Sequence, residues 1–251
     1  MKKIKVLALI PTRLGSTRLL SKPLLEIRKI PLIVHTYKRT ELSKLVNDIH
    51  ICCDHKSIKK VAKNFGANVL LTSKKHKNGT ERIGQAYGMI KKKYDFIIDV
   101  QGDEPLIDPN HIDQVVKFHK KNPDIDIVLP TLKLKNINTK NVVKVVTDNF
   151  DNVIYLSRAE IPFQFKKKNE YFLKHLSIIS FKPSALKKFC LTKPTKLEMV
   201  EGIELLRAIE INLKIKTIVL KGDSFSVDIK DDYVKAKQKM KKDKFFKLYK
   251  I

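Results

Sequence analysis

Four short apolar runs, at 4–10, 49–53, 67–71 and 96–100, constrain this chain most, because helix-length stretches separate them. The runs are rich in Ile, Val and Leu. They read as strands of a parallel sheet that is covered on both faces. Helical stretches lie at about 31–42, 56–65, 80–92 and 109–121. Repeated strand–helix–strand units require right-handed crossovers and predict a doubly wound, Rossmann-like α/β fold with a mostly parallel sheet. In such sheets ligands bind beyond the C-terminal ends of the strands, near the point where strand order reverses.

The second half is mixed. Strands are predicted at 126–134, 142–147, 152–157, 172–181 and 215–220. One helix is predicted over 196–211, where Leu197, Val200, Ile203, Leu206 and Ile209 recur every three residues as an apolar stripe. Glu198, Glu201 and Glu204 form a neighbouring row, with Arg207 one turn after Glu204. A basic helix closes the chain. No internal repeat or low-complexity linker divides it.

The formal charge of +26 would attract any anion. Only seven of the 52 basic residues are arginines, however, at 13, 18, 28, 39, 82, 158 and 207. Arginine is the side chain that forks onto phosphate and stacks on bases. The lysines are spread along the chain, which favours a solvated surface over a face for nucleic acid. An RNA-binding module is the reading from a different class. It asks for aromatics interleaved with arginine, and Phe163, Phe165 and Tyr171 stand near lysines alone. A tail at Lys239–Ile251 that rests on a membrane surface is a further reading, against which stands an ordinary packed helix. The run Val6–Ile10 is too short for a signal core and leads into Pro-Thr-Arg. No apolar segment approaches the roughly 20 residues of a membrane span. A cytoplasmic protein without membrane insertion is expected. Cys52, Cys53 and Cys190 are odd in number and have no C-x-x-C spacing, so reduced thiols are expected.

Four segments carry chemistry. Ile10-Pro11-Thr12-Arg13-Leu14-Gly15-Ser16-Thr17-Arg18-Leu19-Leu20-Ser21-Lys22-Pro23-Leu24 follows the first strand directly. Arg13, Arg18 and Lys22 put three cations within ten residues, Ser16 and Thr17 add hydroxyls, and Gly15 permits close backbone approach. That combination suits a triphosphate, without being a Walker loop or a dinucleotide fingerprint. Val100-Gln101-Gly102-Asp103-Glu104-Pro105 also follows a buried strand, where Asp103 is a candidate Mg²⁺ ligand. Asn78-Gly79-Thr80-Glu81-Arg82 opens a predicted helix, whose N-terminus attracts anions. The competing reading there is a helix cap at Thr80. Ser226-Val227-Asp228 adds one late carboxylate, which gains meaning only if it meets Asp103 in space.

In these segments the chain resembles the 3-deoxy-manno-octulosonate (Kdo) cytidylyltransferases nearly end to end. The shared pattern adds Asp54-His55, Ser157-Arg158-Ala159-x-Ile161-Pro162, His175-Leu176, and Leu197-Glu198-x-x-Glu201-x-x-Glu204-x-Leu206-Arg207. The resemblance implies a single nucleotidyltransferase domain and a cytosolic homodimer that supplies CMP-activated sugar for lipopolysaccharide or capsule. Residues 1–125 would form the nucleotide-binding half. Residues 126–225 would bind sugar and dimerise, and 226–251 would carry a metal ligand and the last helix. Arg13, Ser16, Thr17, Arg18, Lys22, Thr80 and Arg82 would bind CTP. Asp103 and Asp228 would hold Mg²⁺, so that Arg13, Lys22, Asp103 and Asp228 are the catalytic set. Gln101, His175 and Glu204 would contact the sugar acid. Three positions depart from the pattern. Leu20-Ser21 replaces the usual Pro-Gly before the loop lysine, Ile179 replaces a sugar-contacting Tyr, and Phe165 stands where an Arg is usual. The nucleotide side is intact and the sugar side is altered. A modified Kdo such as 8-amino-Kdo, or another ulosonic or sialic-type acid, is therefore the alternative substrate. A sugar-1-phosphate nucleotidyltransferase is disfavoured, since its Gly-rich start is absent.

Overall fold

The computed structural model describes residues 4–16, 18–135 and 141–249. They fall into two compact units, 1–113 with 224–251, and 114–223.

The first unit opens with β1 (Val6–Thr12), whose residues are buried up to Pro11. A single 3-10 turn at Lys22–Leu24 and the short strands β2 (Glu26–Ile27) and β3 (Ile30–Pro31) lead into α1 (Leu32–Glu41). Then come β4 (Asp48–Cys53), α2 (Lys56–Asn64), β5 (Val69–Leu71), α3 (Gly79–Gly88) and β6 (Phe96–Val100), followed by α4 (Pro109–Lys121), which runs across the unit boundary. β4, β1 and β6 pair in parallel, and β5 joins β4 in the same sense. The order β5-β4-β1-β6 reverses between β1 and β6. That is the switch point where a doubly wound sheet opens a crevice.

The second unit holds β7 (Ile127–Leu134), β8 (Lys144–Thr147), β9 (Val153–Ser157), β10 (Phe172–His175), β11 (Ile178–Phe181), α5 (Pro183–Leu191), α6 (Lys196–Glu201), α7 (Leu205–Glu210) and β12 (Ile215–Leu220). β7 is its hub. It pairs antiparallel with β10 and β11 and parallel with β12, while β8 joins β10 to β9. Back in the first unit, α8 (Lys230–Met240) and α9 (Phe246–Tyr249) end the described chain.

The structure differs from the sequence reading in three places. The strand expected over 172–181 is two strands, broken after His175. The helix expected over 196–211 is also two, because Gly202 turns left-handed at φ 63° and stops α6. The three-residue stripe therefore does not lie on one face: Ile203 and Leu206 are buried, while Val200 is 76% exposed. Helix α5 lies in a stretch for which the sequence reading predicted no element.

The last helix is held by a polar network on α1. The Arg39 guanidinium is 1% exposed. It pairs with Asp243 and donates to the Ile107 carbonyl at 2.8 Å and to the Tyr249 hydroxyl at 3.3 Å. His35 Nε2 lies 2.8 Å from the Ile27 carbonyl, which can only accept, so Nε2 carries the proton. Nδ1 is then free to accept from Tyr249 at 3.0 Å. Burial holds His35 neutral and pushes its pKa down to about 4. In the second unit, burial does the same to His119, which bonds Ser180 and the Ile125 carbonyl.

A depressed folded pKa gives stability that is complete above the unfolded value of about 6.5 and is lost as pH falls toward about 4. Urea unfolding is expected to show free energy declining across that window, by up to about 1.4 kcal/mol per pH unit for each histidine. His35→Gln should flatten the decline by one proton's share. An unchanged slope in that variant would exclude His35 as a contributor.

Candidate active site

The chain leaves β1 at Thr12 and β6 at Val100 side by side, and a cavity of about 280 Å³ opens beyond both ends. The loop after β1 lines it with Arg13, Ser16, Arg18 and Lys22. The turn after β6 adds Gln101, Gly102 and Asp103, and the segment before α8 adds Asp228. A fourth wall comes from His76, Lys77, Asn78, Gly79 and Arg82.

Lys22 is the centre of this arrangement. Its ammonium donates to Asp103 Oδ2 at 2.8 Å and to Asp228 Oδ1 at 3.2 Å. Arg18 Nη2 reaches the same Asp228 oxygen at 3.1 Å. Burial disfavours the charged ammonium, but Asp103 and then Asp228 outweigh it and hold the lysine pKa above its ordinary value. The two carboxylates, distant in sequence, therefore face one point. The backbone fixes this too, since the Val227 amide donates to the Asp103 carbonyl at 2.9 Å. Glu104, buried beside Asp103, accepts from the Ser224 and Ser226 hydroxyls. A cation at the ammonium's position would touch both carboxylates. No group of three or more His, Cys, Asp and Glu side chains is placed to hold a metal ion among the described residues. Two carboxylates suffice for Mg²⁺, which keeps waters and takes the rest of its shell from substrate phosphates.

Two glycines differ in what they do. A Cβ on Gly102 would stand 2.7 Å from the Pro11 carbonyl oxygen and 2.8 Å from Ile33 Cδ1. Only glycine lets the turn after β6 press against β1. At Gly15 a Cβ would meet nothing within 4 Å, so the expected close approach is not to the protein itself. Ser21 adopts φ 49° and ψ 32°, the left-handed region that glycine favours. The loop thus keeps a glycine-like turn before Lys22 although the usual Pro-Gly is absent.

The third motif is used differently from its reading. Asn78, not Thr80, caps α3, its side chain accepting from the Glu81 amide at 2.8 Å. Thr80 is fully buried and does not line the cavity. Arg82 does line it, yet its guanidinium donates to Thr72 Oγ1 at 2.7 Å and the Ser73 carbonyl at 3.1 Å, with Asp54 3.8 Å away. Asp54 in turn accepts from the Leu14 amide at 3.0 Å. Arg82 and Asp54 therefore brace the phosphate-type loop from behind. Arg13 makes no hydrogen bond or ion pair among the described residues, which leaves its charge for a ligand. Thr17 lies outside the described residues. Gln101 lines the cavity, its amide donating to Asp99 at 2.8 Å. His76 and Lys77 were missed in the sequence because neither belongs to a motif with a stated chemistry.

His175 and Glu204 belong to the second unit. Burial pushes the His175 pKa down to about 4, and its Nε2 has no hydrogen-bond partner among the described residues. Ile179, at 1% exposure, is packed in the core, whereas Phe165 is 83% exposed.

A strand-edge cavity with three loop cations facing two converged carboxylates is the architecture of a nucleotidyltransferase. The comparisons narrow this, and the chain belongs to the cytidylyltransferase family, whose model matches residues 7–215. It is 36% identical over 242 residues to the mitochondrial 3-deoxy-manno-octulosonate cytidylyltransferase of Arabidopsis thaliana, covering 94% of this chain and 83% of that one. It is 35% identical over 243 residues to the 8-amino-3,8-dideoxy-manno-octulosonate cytidylyltransferase of Shewanella oneidensis, covering 94% and 99%. The solved structure of CMP:2-keto-3-deoxy-manno-octonic acid synthetase complexed with CTP superposes with a TM-score of 0.89 at 26% identity, covering 95% of this chain and 99% of that one.

Gly102→Ala is expected to cost about 1–3 kcal/mol of unfolding free energy, the price of overpacking a tight site. Gly15→Ala should change it by less than about 0.5 kcal/mol. Denaturant melts of the two variants check this, and equal effects would contradict the geometry.

Proposed function

We propose that this protein transfers the cytidylyl group of CTP to a 3-deoxy sugar acid of the Kdo type, releasing pyrophosphate. The observation that carries the reading is the convergence of Asp103 and Asp228 on Lys22, within a loop whose Arg13, Ser16 and Arg18 face the same cavity. The family membership and the Kdo and 8-amino-Kdo cytidylyltransferases among its relatives support it. Cytoplasmic location, a homodimer and a place in lipopolysaccharide or capsule supply belong to the same proposal. No helix among the described residues is long and apolar enough to cross a membrane.

In this reading the anomeric hydroxyl of the sugar acid attacks the α-phosphorus of CTP. An O–P bond forms, the α–β phosphoanhydride bond breaks, and the hydroxyl proton passes to solvent. Arg13, Arg18 and Lys22 neutralise the β and γ phosphates as the leaving group gains charge. Ser16 donates to a phosphate oxygen. Asp103 and Asp228 would hold Mg²⁺, which when bound would shield the phosphates and polarise the α-phosphate. Gln101 orients the sugar acid at the cavity wall, and the resemblance assigns His175 and Glu204 as further sugar contacts. No side chain is assigned as general base. Lys22 must let go of at least one carboxylate for both to serve a metal, and the arriving triphosphate offers it an alternative anion.

The second reading, a modified Kdo or another ulosonic acid, rests on Ile179 and Phe165. A buried aliphatic group cannot replace a tyrosine's hydrogen bond, and losing such a partner shifts substrate preference strongly.

Pyrophosphate release is to be measured with CTP, Mg²⁺ and Kdo, 8-amino-Kdo, a sialic acid or no acid. Release is expected with one of the 3-deoxy acids and not without acid. No release with any acid, and no effect of EDTA, would refute cytidylyl transfer. Asp103→Asn is expected to lower kcat by at least about a hundredfold while leaving the melting temperature within a few degrees. Near-normal turnover would remove Asp103 from the metal site.

A further inference from the structure

The motifs Ser157-Arg158 and Glu198-x-x-Glu201 have no part in the chemistry above, yet the second unit joins them closely. Glu201 is the last residue of α6, and Glu204 immediately precedes α7. One Glu201 carboxylate oxygen pairs with the Ser157 hydroxyl at 2.5 Å, and the other accepts from the Arg158 amide at 3.0 Å. The Arg158 guanidinium returns across the turn, donating to the Glu201 carbonyl at 3.1 Å and the Gly202 carbonyl at 3.3 Å. On the strand side, Lys144 is 2% exposed and donates to the Arg158 carbonyl at 2.5 Å and the Val142 carbonyl at 2.9 Å.

The turn between α6 and α7 is therefore gripped from both ends. Glu198 and Arg207 close it from behind as a bidentate pair, at 2.7 and 2.6 Å, with Arg207 buried. Glu201 and Arg158 close it from the front. Between the two clamps lie Gly202, Ile203 and Glu204. A left-handed glycine gives this turn freedom that the clamps remove.

We propose that Glu201 is a positioning residue: through Ser157 and Arg158 it fixes the turn that presents Glu204, and the start of the segment running from Arg158 to Tyr171, to the sugar acid. The proposal rests on the reading of Glu204 as a sugar contact. Glu201 touches no reacting atom. Its carboxylate is engaged with the protein on both oxygens. What it supplies is the fixed backbone that a charged contact needs, because a loosely held group loses its advantage to ordering entropy.

The experiment uses Glu201→Ala and Glu201→Gln in the full chain, with two independent readouts. Gln can keep both contacts, its carbonyl accepting from Arg158 and its amide donating to Ser157. In steady-state kinetics Glu201→Ala is expected to raise KM for the sugar acid about tenfold, as the loss of hydrogen bonds to a charged group would. KM for CTP should stay within about twofold, and Glu201→Gln should restore the wild-type value. Amide hydrogen exchange over 202–206 should quicken at least about tenfold in the Ala variant, with β1 and β6 unaffected. Unchanged exchange in that turn would overturn the clamp whatever the kinetics show. Equal rises in both KM values, or a fall in kcat alone, would overturn the positioning role and leave only general structure. Wild-type protein inert toward every sugar acid would refute the underlying reading, and the exchange result would still decide the clamp.

Discussion

The ion pairs of Lys22 with Asp103 and Asp228 hold together segments that the chain order keeps far apart. One comes from the loop after β1, one from the turn after β6, and one from the stretch before α8. Each carboxylate is partly buried, and like charges so placed repel unless a cation lies between them. The lysine is what allows both carboxylates to face the same point. Its 16% side-chain exposure makes the attraction stronger than a surface pair would have. The fold itself therefore brings the two carboxylates and the loop cations to one place.

That construction depends on where the chain ends up after the second unit. Residues 224–251 return to the first unit, and their return is fixed by contacts of unlike kinds. Ser224 and Ser226 bond Glu104, the Val227 amide bonds the Asp103 carbonyl, and Tyr233 donates to the Glu26 carbonyl. Further on, Asp243 and Tyr249 engage Arg39 and His35 on α1. The pH-sensitive burial of His35 thus lies in the same anchoring network that follows Asp228. Acid that charges His35 therefore weakens the anchoring of the tail.

The first unit was largely legible because its signals are local. Buried parallel strands show as apolar runs, and the loop after β1 and the turn after β6 follow those runs directly. Strand bounds at 48–53 and 96–100 fall where the runs stand. Asp228 could be read as a carboxylate, but its meeting with Asp103 is a property of the folded chain. Gly202 marks the limit of periodicity as a guide. The residues on either side keep a three-residue spacing, and a single left-handed glycine divides them into two helices. The row Glu198, Glu201, Glu204 then separates into one residue clamped by Arg207, one clamped by Ser157 and Arg158, and one immediately before α7. Asn78 took the cap expected of Thr80 because its side chain reaches the Glu81 amide, a choice that spacing alone does not settle.

The departures from the family pattern have different physical weights. Leu20-Ser21 changes the residues of the loop but not its turn, since Ser21 accepts the left-handed backbone at a cost of roughly 1–2 kcal/mol. Lys22 consequently still reaches both carboxylates. Ile179 and Phe165 are changes of another kind, because no backbone adjustment gives an aliphatic or phenyl group a hydrogen bond. Ile179 is enclosed in the core of its unit, and Phe165 is turned to solvent. Neither is placed to do what a tyrosine hydroxyl or a guanidinium does. The departure in the loop is thus absorbed by the backbone, whereas the departures at Ile179 and Phe165 change what the side chains themselves can bond.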